Sequence, residues 1–460
     1  MSSPMARGPP ACATASTPHR SSSSARERTS PGGFSAILVG TRLRCPPAPA
    51  AIPAAPRAGF VPDPAMHAWI AWLALVSFAG LTTPLPAPQS VQPPADREPD
   101  RGFFPYLGRI VSGSGLAAGV GYRYEEILGS LVGAEATAGW SVRGYQLYRT
   151  RAGLINDARR TLELRQADAG VASMFNDTAV KRPGAALYTE IRYRSYPRHP
   201  YYGIGGESKR DDVSAFKLRG PAYDLVGQWQ VSPSFGLSGR AGLLESEVGP
   251  RRGDSKRPSV EERFDPVSIP GFLTTPTYTV LGVGAALDRR DSPRDPTRGF
   301  FAGATAWRFE ASGRQYDFTR VTLDARGYIP SSGPLPGVIA LRLLLSGDHT
   351  APSSLVPFFL LQTVGGAETL RSYPSHRWRE RALAHVTAEY RWQPHRLVEI
   401  APFVDIASLA STFESLSARR RLYSYGVALR GRWKGRVLGR LEWALGPEGG
   451  RVLLFAGPLF

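Results

Sequence analysis

"ALAHVTAEYRW" (382–392) alternates without a break. Ala384, Val386, Ala388, Tyr390 and Trp392 fall on one side of an extended chain, and His385, Thr387, Glu389 and Arg391 on the other. The pattern recurs in "YSYGVALRGRW" (423–433), where Tyr423, Tyr425, Val427, Leu429 and Trp433 oppose Ser424, Gly426, Arg430 and Arg432. In "VIALRLLLSGD" (338–348) the row Ile339, Leu341, Leu343 and Leu345 opposes Arg342. A soluble sandwich also alternates, with its apolar face inward. Two features favour a membrane: aromatics gather at strand ends, where interface girdles lie, and the polar rows carry charges of both signs, as a wet lumen would. In lipid only a closed barrel satisfies every backbone group of a strand. The expected fold is all-β, a transmembrane antiparallel β-barrel.

Composition agrees with this class. The 460 residues carry a net charge of +18, Lys+Arg 56 against Asp+Glu 38. Such a balance suits nucleic acid, anionic lipid or an oppositely charged interior. No lysine-rich run, zinc-ligand spacing or RNA-recognition signature is present, so nucleic acid is not an expected partner. The two cysteines, Cys12 and Cys45, both lie near the N-terminus, which leaves the rest without a disulfide framework or thiol nucleophile.

Along the chain, residues 1–65 are rich in Ser, Ala, Pro and Arg and read as disordered. "MHAWIAWLALVSFAGLTTPLPAPQS" (66–90) then supplies an apolar stretch, Ala68–Leu81, too short to span a bilayer as a helix but fitted to a signal-peptide core. The signal segment is taken as 66–87, with Met66 the expected start. Residues 1–65 are then either upstream sequence or a long leader. A polar linker over 88–111 leads to strands from 112 to 460. Segments beginning near 112, 130, 144, 185, 213, 235, 278, 300, 317, 337, 356, 381, 400, 422, 436 and 451 give sixteen, or fifteen if those near 130 and 144 are one long bent strand; bacterial barrels favour an even count, so sixteen is expected. The longer loops are 155–183, 197–212, 246–276 and 365–380.

Five motifs follow in order: "YYGIGGES" (201–208), "DRRDSPRDPTRGFF" (288–301), "VPFFLLQTVGGAETLRSY" (356–373), "AEYRW" (388–392) and "FVDIA" (403–407). Together they resemble the bacterial surface antigen family, the BamA/TamA-like outer-membrane assembly and translocation barrels. The final "FAGPLF" ends on Phe460, like the terminal aromatic that such barrels present as an assembly signal. The likeness covers about 200–460 well and 112–200 loosely. Members of the family carry periplasmic polypeptide-transport-associated domains, and the 24 residues between Ala87 and the expected first strand leave no room for one.

By itself, "GGAETLRSYPSHRWRE" (365–380) reads as a solvated loop, or as one folded back into the lumen. Glu389 and Asp405 lie on the polar faces of the next two strands, and a guanidinium can fork onto a carboxylate as Lys cannot. The resemblance puts that role on Arg371, whose lock would also involve Ser372 and Tyr373. Ser372 stands where the family has glycine, and would be strained if its φ were positive. The resemblance also implies a weakly paired seam between the first and last strands, here "GSGLAAGVGYRYEE" (113–126) against "GRVLLFAGPLF" (450–460). Gly113, Gly115, Gly119 and Gly121 would weaken the first strand, and Gly457 with Pro458 would limit pairing at the last.

No catalytic constellation or cofactor motif stands out. "VSGSGLAAG" (111–119) lacks a strand-to-helix elbow, and His376, His385 and His395 read as loop or lumen residues rather than metal ligands. The resemblance implies a non-enzymatic role: insertion or translocation of proteins at the Gram-negative outer membrane. Expected partners are lipid, lipopolysaccharide and a client protein, with the barrel a monomer. The alternative is a passive pore or structural barrel without assembly activity.

Overall fold

The structure, a computed structural model, describes residues 101–127, 132–154, 184–253, 256–293, 295–416, 421–433 and 436–456. Residues 1–100, among them the expected leader 1–65 and signal segment 66–87, and residues 457–460, including Gly457, Pro458 and Phe460, lie outside the described residues.

Among the described residues the barrel's first strand starts at Arg101, within what the sequence assigns to a linker. β1 (Arg101–Gly108) contains Pro105, which lacks an N–H and so suits an edge strand with a partner on one side. It pairs with β2 (Ala117–Ile127), Arg101 opposite Tyr124 through Gly108 opposite Ala117. The chain then meanders through antiparallel neighbours β3 (Val132–Ser141), β4 (Gln146–Gly153), β5 (Gly184–Tyr201) and β6 (Ser214–Ser232). Both β7 (Phe235–Leu244) and β8 (Glu247–Pro250) run along β6 and form one stave. Next come β9 (Tyr278–Asp288), β10 (Gly299–Ala311), β11 (Phe318–Ser331) and β12 (Gly337–Thr350).

The short strands β13 (Gln362–Val364) and β14 (Trp378–Glu380) pair only with each other, outside the large sheet. The meander resumes at β15 (Ala382–His395), β16 (Val398–Ala410), β17 (Leu422–Trp433), β18 (Arg436–Gly446) and β19 (Gly449–Ala456).

The large sheet has seventeen strands among the described residues; with β7 and β8 sharing a stave, sixteen remain. Two departures from the sequence reading offset each other in that count. β1 is an additional stave, and the segment expected as a strand near 356 is not one. Val356 and Phe358–Leu361 are instead buried in an apolar cluster inside the sheet. A short apolar run suits a strand and a buried loop equally well by periodicity alone.

Facing decides the class. Val386, Val404, Ile406, Tyr423, Tyr425, Val427, Leu429, Leu441 and Trp443 are exposed, while Thr387, Glu389, Asp405, Arg430 and Glu442 on the same strands are buried. Apolar side chains outside and ion pairs inside are the inverse of a soluble sandwich. Water would penalise that outer face and lipid does not. Among the described residues no helix is long and apolar enough to cross a membrane; these strands are the crossing elements.

One end of the interior is filled by aromatics. Phe358 sits 4.7 Å from Phe216 and 5.2 Å from Tyr201, and Phe309 stacks on Phe318 at 4.3 Å. The segment 251–277, with a short helix α1 (Val260–Arg263), contributes Val260, Ile269 and Phe272 to the same cluster. Each buried ring stabilises by roughly 1.5–3 kcal/mol, which fastens this segment and the 351–381 loop across the interior. The opposite end carries the chain's entry at β1 and its exit from β19.

Candidate functional site

The loop between β12 and β15 enters the barrel through the β13–β14 hairpin. Gly365 and Gly366, at φ 112° and 95°, take left-handed conformations, and a Cβ at Gly365 would lie 2.2 Å from the Pro374 carbonyl oxygen. The tip closes on itself: the Gly366 N–H donates to the carbonyls of Leu370 and Tyr373, both at 3.1 Å, and the Gly365 N–H to Thr369 Oγ1 at 2.9 Å. Folded this way, the tip projects Arg371 at the inner wall.

Arg371 meets both carboxylates that alternation placed on that wall. Its Nε and Nη2 fork onto Asp405 at 3.0 and 2.8 Å, and its Nη1 donates to Glu389 Oε1 at 2.9 Å. The ring of Phe403 lies beneath the guanidinium, 3.3 Å from centroid to Cζ, and Glu442 on β18 stands at 3.6 Å. Burial opposes the charge on Arg371, but Asp405 and Glu389 outweigh it and hold its pKa above the ordinary value. Sequence reasoning missed Glu442 and Phe403. Glu442 was legible, since it stands between the outward residues Leu441 and Trp443.

Ser372 is free of the strain its position suggested. Among the described residues only Arg314 and His376 have positive φ without being glycine. The Ser372 N–H donates to Ser424 Oγ at 2.9 Å, and the missing side chain of Gly446 makes room for it: a Cβ there would lie 2.3 Å from Ser372 Oγ. Tyr373 is buried against Trp378, and its carbonyl accepts from Arg451 of β19. The loop also reaches the start of the barrel. Glu368 pairs with Arg109 at 2.6 Å, Ser375 bonds Ser112 at 2.9 Å, and His376 Nε2–H donates to the Ser112 carbonyl at 3.1 Å. Burial, with Arg379 nearby, pushes the His376 pKa down to about 3.

The seam differs from its expected position. The two edges of the sheet are β1 and β19, which approach each other only near their C-terminal ends, where Arg109, just past β1, stacks 4.7 Å from the Phe455 ring. No backbone ladder joins them among the described residues. Gly113 and Gly115, at φ 88° and 78°, form the β1–β2 turn rather than an edge strand. Gly119 is interior to the sheet, paired with Tyr106 of β1 and Gly139 of β3, where a Cβ would lie 2.3 Å from the Ala138 carbonyl oxygen. These glycines serve a turn and a close backbone approach. The edge is "RGFFPYLG" (101–108), which the sequence reading took for linker.

An outward apolar belt, a charged interior and a loop bonded to the inner wall define a membrane-spanning β-barrel with a loop in its lumen. Residues 274–445 match the Omp85 superfamily domain. Curated protein sequences yield no match. Three solved structures resemble it. A BamA from Haemophilus ducreyi lacking POTRA domains 1–3 matches at TM-score 0.49 and 16% identity, over 77% of this chain and 68% of that one. CdiB from Acinetobacter baumannii gives 0.40 and 10%, over 77% and 56%. CdiB from Escherichia coli gives 0.43 and 9%, over 77% and 61%.

Proposed function

We propose that this barrel inserts or translocates client proteins at the outer membrane, without enzymatic turnover. One observation carries the reading: the edge strands β1 and β19 meet without a ladder among the described residues, beside a loop bonded to both ends of that seam. An unpaired strand edge in lipid leaves backbone groups unsatisfied, at a cost of roughly several kcal/mol each. A client strand added to the edge would supply those partners and take its register from them. Apart from 155–183, the connections at the end holding the termini of the barrel are short, as periplasmic turns of such barrels are, so that end is taken to face the periplasm and the 351–381 loop to enter from outside. The barrel domain is taken as 101–460, preceded by a signal over 66–87, and is a monomer in contact with lipid and lipopolysaccharide.

The test is a disulfide where the two edges meet, between one cysteine in Tyr106–Arg109 and one in Leu454–Ala456, chosen to meet bond geometry, with Cys12 and Cys45 changed to Ser. Proteoliposomes holding the oxidised variant should fail to insert a client barrel and recover on reduction. Equal insertion in both states would overturn the reading.

A further inference from the structure

Below the loop lock, a series of alternating charges runs down the inner wall to the opposite mouth. Glu389 gives Oε1 to Arg371 and Oε2 to Arg430, the second at 2.5 Å. Arg430 Nη1 reaches Glu399 Oε1 at 2.8 Å, and Glu399 Oε2 takes Arg432 Nη1 at 2.6 Å. The other terminal nitrogen of Arg432 pairs with Asp295, in the turn between β9 and β10. Side-chain exposure rises along this path from 0% at Glu389 through 5% at Glu399 to 19% at Asp295, so the series ends at the mouth. A second strut runs beside it: Arg391 donates to Glu389 at 3.3 Å and to the Pro296 carbonyl at 3.4 Å.

The turn is built to reach that far. Asp291 Oδ1 accepts from the N–H groups of Ser292 and Thr297, each at 2.9 Å, and of Arg298 at 3.3 Å, while Asp288 is forked by Arg290. Those two acids tie the turn to itself. Asp295 instead bridges to β17, with β11, β12, β15 and β16 lying between it and the turn's own strand β10. The turn thus spans part of the mouth and is fastened to the wall by a charge.

We propose that Asp295 is a positioning residue that couples the periplasmic mouth to the loop lock. With the turn docked, Arg432 holds Glu399, Glu399 holds Arg430, and Arg430 takes one oxygen of Glu389, leaving the other facing Arg371. A polypeptide entering the mouth must displace the turn. Arg432 then draws Glu399 away from Arg430, Arg430 competes with Arg371 for Glu389, and the loop loosens. What displaces the turn rests on the proposed function; the coupling itself does not.

The experiment uses the purified full barrel without client, Cys12 and Cys45 changed to Ser and the buried Ala367 changed to Cys as reporter of loop release. In the fast-reclosing regime its maleimide labelling rate follows the population of the open loop. Heat-modifiable migration identifies folded protein. Asp295→Asn should raise the rate about tenfold or more, the change expected from losing a charge-assisted hydrogen bond, while Asp295→Glu stays within about twofold of the parent. Arg432→Gln serves as second variant and should label at or below the parental rate, because Glu399 then stays wholly with Arg430 and leaves Glu389 to Arg371. A folded Asp295→Asn protein that labels at the parental rate overturns the coupling, as does an Arg432→Gln protein that labels as fast as Asp295→Asn, or equal labelling of the Asn and Glu variants. A responsive relay in a barrel that inserts no client would overturn the proposed function and leave the coupling standing.

Discussion

Replacing Arg371 by Met removes the guanidinium and keeps much of the side chain's volume. The two carboxylates do not suffer equally. Glu389 retains Arg430 at 2.5 Å and Arg391 at 3.3 Å, whereas Asp405 loses both arms of its fork and keeps the Thr387 hydroxyl at 2.9 Å and the backbone N–H of residue 371 at 3.3 Å, neither of them charged. Asp405 is 1% exposed, so its charge would be stranded away from water. Removing one partner of a buried pair costs about 3–5 kcal/mol. At about 1.4 kcal/mol per tenfold, the docked-to-released ratio of the loop should fall by roughly two to three and a half powers of ten.

Maleimide labelling of a cysteine at Ala367, in a background without Cys12 and Cys45, reads that ratio directly. Asp405→Asn removes the stranded charge, so the double variant should recover a coupling of about 1.5–3 kcal/mol. Arg371→Lys should fall between the parent and the Met variant, because it keeps the charge and loses the fork. An unchanged labelling rate in Arg371→Met, or single costs that add in the double variant, would refute the reasoning.

Gly446→Ala should loosen the same loop by about 1–3 kcal/mol, since the new Cβ would lie 2.3 Å from Ser372 Oγ; Ser372→Gly in the same chain should recover part of it, as scored by labelling. His376 is neutral in the docked loop, with its pKa near 3 against an ordinary 6.5. The released loop therefore binds the extra proton, and docking is fully stable above about pH 6.5, then weakens by about 1.4 kcal/mol per unit as pH falls towards 3. Labelling across that window should show the slope in the parent and a flatter one in His376→Gln. Deleting residues 367–379 removes the tip from the lumen, and conductance in planar bilayers should rise from a low value; equal conductance would show that the loop does not occlude.

Much of the site was legible because strand periodicity is rigid. Once "ALAHVTAEYRW" and "FVDIA" are strands, Glu389 and Asp405 must share the polar face with Thr387, whatever else the chain does. Glu442 follows from the same rule, but its nearness to Arg371 depends on β18 standing two staves from β16, which no local pattern states. The seam was misplaced for a related reason. "RGFFPYLG" carries a proline and two glycines, which read as linker, and only pairing with Ala117–Tyr124 makes it a strand. The apolar run at 356 erred the other way, as a loop segment that finds its burial among the aromatics of six staves' ends rather than in the sheet.

The sequence by itself determined which side of each strand meets lipid, that Arg371 follows a glycine pair able to turn the chain inward, and which carboxylates alternate onto the lumen. These are consequences of covalent geometry and a two-residue period, and they need no partner to be true. Tertiary structure alone decided that Arg371 takes Asp405 and Glu389 together, that Gly446 vacates the space for Ser372, and that β1 rather than 113–126 forms the edge beside β19. It also decided that Asp295 reaches across to Arg432. Each of these joins residues far apart in the chain, and their distance is set only when the whole sheet has curled round to bring its edges together.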